Sequence, residues 1–186
     1  MLMINVRHNW PEHPPYTMAR TRGNNEYMLL HFYNTLDISI NNERMTVSPG
    51  TLIMLSPQTT YACHSTTPYR LDWMCLIGNV PEIMHIYGLV PDVLYHLTNG
   101  AALTSIIESL EFEFYMRHFW WYRYVDIKVE EIFILITLNL PQDISLPKDI
   151  SLMHQFQTLH LEMSAYPERD WSVKNIASRI GICESR

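Results

Sequence analysis

The sequence has no basic stripe, no paired cysteines and no long apolar run, and each absence removes a class of function. Its 13 Lys and Arg residues are scattered singly and outnumbered by 19 Asp and Glu, for a net charge of −6. A self-sufficient nucleic-acid binder needs a clustered positive face, so any DNA contact must come from elsewhere. Three cysteines, Cys63, Cys75 and Cys183, are odd in number and lack CxxC spacing. That excludes a disulfide framework or a zinc knuckle and favours reduced thiols in the cytoplasm. The longest apolar stretch, Ile132 to Leu140, is broken by Thr137 and Asn139 and falls short of the roughly 20 residues of a membrane span. Met1 to Trp10 lacks the apolar centre of a secretory signal. A soluble cytoplasmic protein with no membrane partner is expected. No internal repeat or low-complexity tract is present.

What is there is the balance of a globular protein. With 47% hydrophobic and 17% charged residues over 186 positions, the chain can bury a core, and its length suits one domain plus a fragment. From Glu26 to Gly78 short strands alternate with turns. Tyr27 to Tyr33 is aromatic and aliphatic; Leu36, Ile38 and Ile40 alternate with polar residues up to Asn41-Asn42. Ser48-Pro49-Gly50 marks a turn, Thr51 to Leu55 a buried strand, and Ser56-Pro57 a further break. Leu71, Trp73, Cys75 and Ile77 share one face if extended. Many short strands at close spacing argue for a sandwich or small barrel.

The period then changes. Leu103, Ile106, Ile107, Leu110 and Phe114 make one apolar stripe of an amphipathic helix. Phe119 to Leu140 is a helix with bulky apolar residues on more than one face, which calls for two partner surfaces. Pro141 and Pro147 end it and open a linker. Leu152, Phe156, Leu159 and Met163 form a further stripe that stops before Pro167. A capped helix follows: Ser172 can accept from the Asn175 N–H, Trp171 and Ile176 can form a hydrophobic staple, and Val173, Ile176, Ala177 and Ile180 supply a buried face before Gly181.

Trp171 to Arg186 resembles the first helix-turn-helix of AraC/XylS-type transcriptional regulators, with Ala177 allowing close approach and Gly181 turning toward a second helix near Cys183. The Pro49-Gly50 turn, the strand Thr51 to Leu55, Pro57, and Tyr69-Arg70-Leu71-Asp72-Trp73 running to Gly78 are similar to the cupin-like sensor domain of the same family. The resemblance covers almost the whole chain. It implies a mainly β fold with α: a cupin-like β-barrel (double-stranded β-helix), an antiparallel helix pair, and a truncated helix-turn-helix segment. The domains expected are a barrel with an N-terminal arm over 1–98, a helical dimerisation segment over 99–140, a linker over 141–149, and the opening of the DNA-binding domain over 150–186. Thr51 stands where an acidic residue often follows the turn glycine, and Tyr61 where the family often has His; both departures count against a metal site. Cys183 replaces a usual serine cap.

The implied function is effector sensing and dimerisation, with a small polar molecule, a carbohydrate above all, bound in the barrel. An aromatic face with a few directed polar groups is what such a ligand needs. The ligand-binding candidates are Trp10, Arg20, His31, Tyr33, Tyr61, His64, Arg70 and Trp73; Arg20 belongs, with Arg22, to the family's arm over the pocket. A homodimer is expected through Trp121, Tyr124, Lys128 and Ile132. Trp171, Ser172, Ile176, Ala177, Ile180 and Gly181 pack the DNA-binding domain, and promoter DNA is a partner of the full-length parent only. Nine histidines invite a metal, yet no His-x-His pair is present, and His31 and His64 meet only if their strands are neighbours. No metal or other cofactor is expected. No Gly-x-Ser-x-Gly turn marks a nucleophile, so an enzyme is not expected. The alternatives are a metal-dependent cupin enzyme and a ligand-free interaction module whose barrel is filled by its own side chains.

Overall fold

The computed structural model describes residues 1–14, 19–20, 25–98, 100–140 and 148–180, with the backbone alone for 148–154, 157 and 161. The expectations for Arg22, the linker residues 141–147, Gly181 and Cys183 lie outside the described residues. Two compact units are present, Met1–Leu140 and Pro141–Arg186.

The first unit is mainly β with α, a β-barrel of two antiparallel sheets backed by helices. Its strands are β1 (Leu2–Glu12), β2 (Ala19–Arg20), β3 (Tyr27–Phe32), β4 (Leu36–Ile40), β5 (Glu43–Val47), β6 (Thr51–Leu55), β7 (Tyr61–His64), β8 (Tyr69–Ile77) and β9 (Leu94–His96). They form two antiparallel sheets, one ordered β1-β8-β3-β6-β9 and the other β2-β7-β4-β5. Helices α1 (Val80–Ile86), α2 (Ala101–Met116) and α3 (Trp121–Leu138) complete the unit.

Two apolar cores explain the sequence pattern. Between the sheets lie Leu30, Phe32, Ile38, Ile53, Leu55 and Leu71. On the other face of the five-stranded sheet, Leu29, Leu52, Met74 and Leu76 meet Leu103, Ile107 and Leu110 of α2 and Val129, Ile132 and Phe133 of α3. The central strands β3 and β6 are thus covered on both faces and read as continuous apolar runs, whereas β4 buries Leu36, Ile38 and Ile40 and exposes Asp37, giving clean alternation. Gly50 turns the chain into β6 at φ +83°, and a Cβ there would stand 2.9 Å from the Leu97 carbonyl oxygen, so the turn admits only glycine.

β1 carries no legible alternation because its pairing with β8 slips twice, between Met3 and Asn5 and between Arg7 and Trp10. The first bulge lets Met3 and Val6, three residues apart, both enter the helix-side core.

The second unit contains α4 (Lys148–Ala165) and α5 (Val173–Ile180). Leu159, Ala177 and Ile180 are buried, and the Arg179 guanidinium pairs with the Glu162 carboxylate at 2.7 Å. Ser172 accepts from the Asn175 N–H at 3.4 Å, so the expected cap is present but stretched. Trp171 puts its ring under the Arg179 guanidinium and donates to the Tyr166 carbonyl.

Candidate functional site

The register of β3 against β8 sets His31 directly opposite Asp72, and both point to the helix-covered face of the five-stranded sheet. Asp72 is fully buried. A buried carboxylate persists only with its lone pairs filled, and four donors converge on this one. Oδ1 lies 3.0 Å from His8 Nδ1 and accepts the Asn9 backbone N–H at 2.7 Å. Oδ2 lies 2.8 Å from His31 Nδ1 and accepts the Tyr33 hydroxyl at 2.8 Å.

Each donor has a local cause. The second bulge of β1 sets His8 and Asn9 together opposite Asp72, and Asn9 takes φ 46°, a left-handed conformation that asparagine tolerates better than most residues. Burial, with the charge of Asp72 beside it, pushes the Tyr33 hydroxyl well above the usual phenol range, so it remains a donor. Its single proton goes to Asp72. The Thr104 hydroxyl of α2, 3.2 Å away, therefore donates to the Tyr33 oxygen. His31 Nε2 faces Gly100, where an added Cβ would stand 3.4 Å from it. A His-Asp pair of this kind orients a general base in many enzymes, but this imidazole is sealed against a helix start rather than open to a substrate.

At one end of the barrel, Pro11, His13, Asn34, Pro68, Tyr69 and Arg70 line a cleft of about 380 Å³. Arg70 is exposed there: its backbone N–H donates to Asn34 Oδ1 at 2.8 Å and its Nη1 donates to the Asn9 carbonyl at 3.0 Å. Burial raises the Glu12 carboxyl next to this cleft above its ordinary value.

The eight ligand candidates thus fall into separate places. His31 and Tyr33 belong to the Asp72 cluster, their rings 5.1 Å apart. Arg70 lines the end cleft. Trp10 and Trp73 flank the Arg7 guanidinium, 5.6 and 5.8 Å from their ring centres, and Tyr115 of α2 closes that group at 5.4 Å. Tyr61 is buried inside the barrel with its hydroxyl on Cys63 Sγ. Arg20 is buried near it in register, donating to the Glu26 and Leu55 carbonyls, and its Nε has no partner among the described residues. His64 lies on the four-stranded sheet, exposed and bonded to Ser39 at 3.0 Å, so it does not meet His31. Among the described residues no three His, Cys, Asp or Glu side chains are placed to hold a metal ion.

Sequence reasoning missed Asp72 as a site residue, along with His8 and Thr104. A lone Asp in an otherwise apolar strand, Leu71-Asp72-Trp73-Met74-Cys75-Leu76, was the available signal. In the helices, Trp121 and Tyr124 are half-buried against the helix-side core, and Lys128 pairs with Glu131 at 2.7 Å. Ile132 is fully buried in the core of its own chain, so it is out of reach of a partner.

The barrel thiols make a direct prediction. Burial pushes Cys75 up to about 12 and raises Cys63, disfavouring the thiolate in both. At pH 8 the thiolate fraction of Cys75 is then lower than that of a free cysteine by a factor on the order of 10³ to 10⁴. Cys63 and Cys75 are expected to stay unmodified by a thiol reagent in the native protein and to react in urea, read peptide by peptide by mass spectrometry. Rapid native labelling of either would show an opened barrel.

No protein-family profile matches the sequence, and no curated protein matches it. Solved structures that resemble the chain include the AraC-like transcriptional activator CuxR, at 11% identity and TM-score 0.42 over 90% of this chain and 63% of that one. ToxT from Vibrio cholerae, in a structure with unsaturated fatty acid bound, is similar at 12% identity and TM-score 0.44, over 97% and 69%. The EutQ protein of Clostridium difficile matches at 21% identity and TM-score 0.28, over 33% and 48%. The chain spans 48% and 63% of the length of EutQ and CuxR, respectively. No described helix is long and apolar enough to cross a membrane.

Proposed function

We propose that this chain is the effector-sensing and dimerising region of a cytoplasmic transcriptional regulator of the AraC/XylS type. It binds a small polar molecule, a carbohydrate above all, at the barrel and controls how a helix-turn-helix is presented to promoter DNA. The observation that carries this reading is the second unit. A capped helix, α5, packs with α4, to which Arg179 is tied through Glu162, and buries Ala177 and Ile180, as the supporting helix of such a motif does, and it follows a barrel and helix pair in chain order.

The end cleft is the part of the barrel suited to the effector. The space between the sheets is filled by Leu30, Phe32, Ile38, Ile53 and Leu71. The cleft instead gathers Arg70, His13 and Asn34 around one concavity of about 380 Å³, room enough for a monosaccharide, while the ring of Tyr69 is buried in the core behind it. The filled interior also supports a second reading, a ligand-free interaction module.

A thermal-shift screen of pentoses, hexoses and small carboxylates separates the two. A ligand bound only by the native state, at a concentration of 100 times its Kd, adds about 2.7 kcal/mol of stability. A sugar is expected to raise the melting temperature of the wild type and to lose that effect with Arg70→Met. If no compound shifts the melting temperature, the interaction module stands and effector sensing is rejected. A shift that survives Arg70→Met moves the site away from the cleft.

A further inference from the structure

Resting on that reading of the barrel-end cleft, we infer that a hydrogen-bond relay through Asp72 carries the state of Arg70 to the first turn of α2. The links are continuous. Arg70 Nη1 donates to the Asn9 carbonyl at 3.0 Å, and the Asn9 N–H donates to Asp72 Oδ1 at 2.7 Å. Tyr33 donates to Asp72 Oδ2 at 2.8 Å and stands 3.2 Å from the Thr104 hydroxyl. Thr104 lies in the first turn of α2, its N–H donating to the Gly100 carbonyl at 3.0 Å, and Gly100 is the residue that His31 faces.

A chain of contacts transmits only if one link has two arrangements. That link is the bulge at His8 and Asn9. Asn9 is held at φ 46° in an edge strand, with its carbonyl fixed by Arg70 and its N–H fixed by Asp72. A ligand that engages the guanidinium in the cleft competes with the Asn9 carbonyl for it. Once released, the Asn9 peptide is free to leave the left-handed region, and its N–H turns away from Asp72 as it does so. Asp72 then lacks one of four donors, and Tyr33 and His31 settle closer to the carboxylate. Both touch the start of α2, so that turn loses support. The groups facing Asp72 are accounted for: His8 from β1, His31 and Tyr33 from β3, and Thr104 from α2 behind Tyr33. The carboxylate is fully buried and so is His31, so within the cluster neither of these two finds water as a substitute for the other.

The test needs no ligand. Arg70→Met removes the guanidinium from the Asn9 carbonyl, and hydrogen exchange of the whole chain reads the amides of Thr104 to Ile107. Arg70→Met is expected to speed their exchange about 2- to 30-fold, the span of couplings that packed networks carry. In a Tyr33→Phe background, which leaves only the His31 branch to Gly100, the same substitution is expected to add clearly less than in the wild type. Thr104→Val serves as a second cut that leaves every Asp72 contact intact, should Tyr33→Phe unfold the protein. Faster exchange in β1 alone, or an equal α2 response in the cut backgrounds, overturns the relay. Neither result bears on the effector screen, so the two readings fail separately.

Discussion

Replacing Asp72 with alanine is expected to cost about 3 to 5 kcal/mol of stability, because it is the most buried polar side chain among the described residues. The carboxylate contributes little by itself, since its desolvation offsets much of what its partners return. What makes its removal expensive is what remains behind. The buried Nδ1 of His31 would face a cavity instead of an acceptor, the Asn9 N–H and the half-buried His8 would lose theirs, and Tyr33 would keep only Thr104. His31 is buried beneath Gly100 and cannot turn to solvent. Asp72→Asn is expected to be nearly as costly, because its amide nitrogen meets donors on at least one side. Urea unfolding of both variants against the wild type measures the cost. A loss below about 1 kcal/mol for Asp72→Ala would place the cluster among ordinary surface-like hydrogen bonds and remove the physical basis of the relay.

The strands that sequence made legible are those whose burial is simple. β4 and β6 follow from alternation and from a fully apolar run, and α2 from a 3.6-residue stripe, because in each the environment repeats with the period of the backbone. β1 was illegible for the opposite reason. Its two bulges break the period, so Met3 and Val6 face one core while His8 and Asn9 share one opposing residue. The candidate site was half legible. His31 and Tyr33 stand out as polar and aromatic residues in a buried strand, but their destination depends on which strand supplies the residue opposite His31. That register is a long-range fact, 41 positions along the chain, and no local pattern encodes it. Arg70 was legible as a cleft residue because it exits an otherwise buried strand. Tyr61 and Trp73 were expected to line a pocket, yet an inward-facing aromatic fills a barrel as readily as it receives a ligand, and only the packing of Phe32, Leu71 and their neighbours distinguishes the two.

The proposed dimer seam makes the other large prediction, and the contrast between two nearby isoleucines, Ile132 and Ile134, carries it. α3 buries Val125, Val129, Ile132, Phe133 and Ile136 against its own barrel and helices. Ile127, Ile134 and Leu138 are 62, 43 and 74% exposed, and their spacing of seven and four residues aligns them along one outer stripe of the same helix. Such a stripe on a stable protein marks an association surface, and a self-complementary helix face suits a twofold dimer. The proposed seam therefore runs along Ile127, Ile134 and Leu138 rather than Ile132. Ile132→Ala is expected to lower stability by about 2 to 5 kcal/mol, as a cavity in a closed core does, without a direct effect on association. Ile134→Arg is expected to leave the folding stability of the monomer within about 0.5 kcal/mol and to weaken the dimer on the order of 10- to 100-fold, by placing a desolvated charge at the contact. Sedimentation across a concentration series, beside urea unfolding at a concentration where both variants are monomeric, separates the two effects. A wild type that stays monomeric at tens of micromolar, on the order of ordinary transient affinities, rejects the dimer itself. A dimer that survives Ile134→Arg unchanged moves the seam off this stripe, and the next surface to test is the exposed apolar end of α2 and the turn after it, with Phe112, Tyr115, Met116, Phe119 and Trp120.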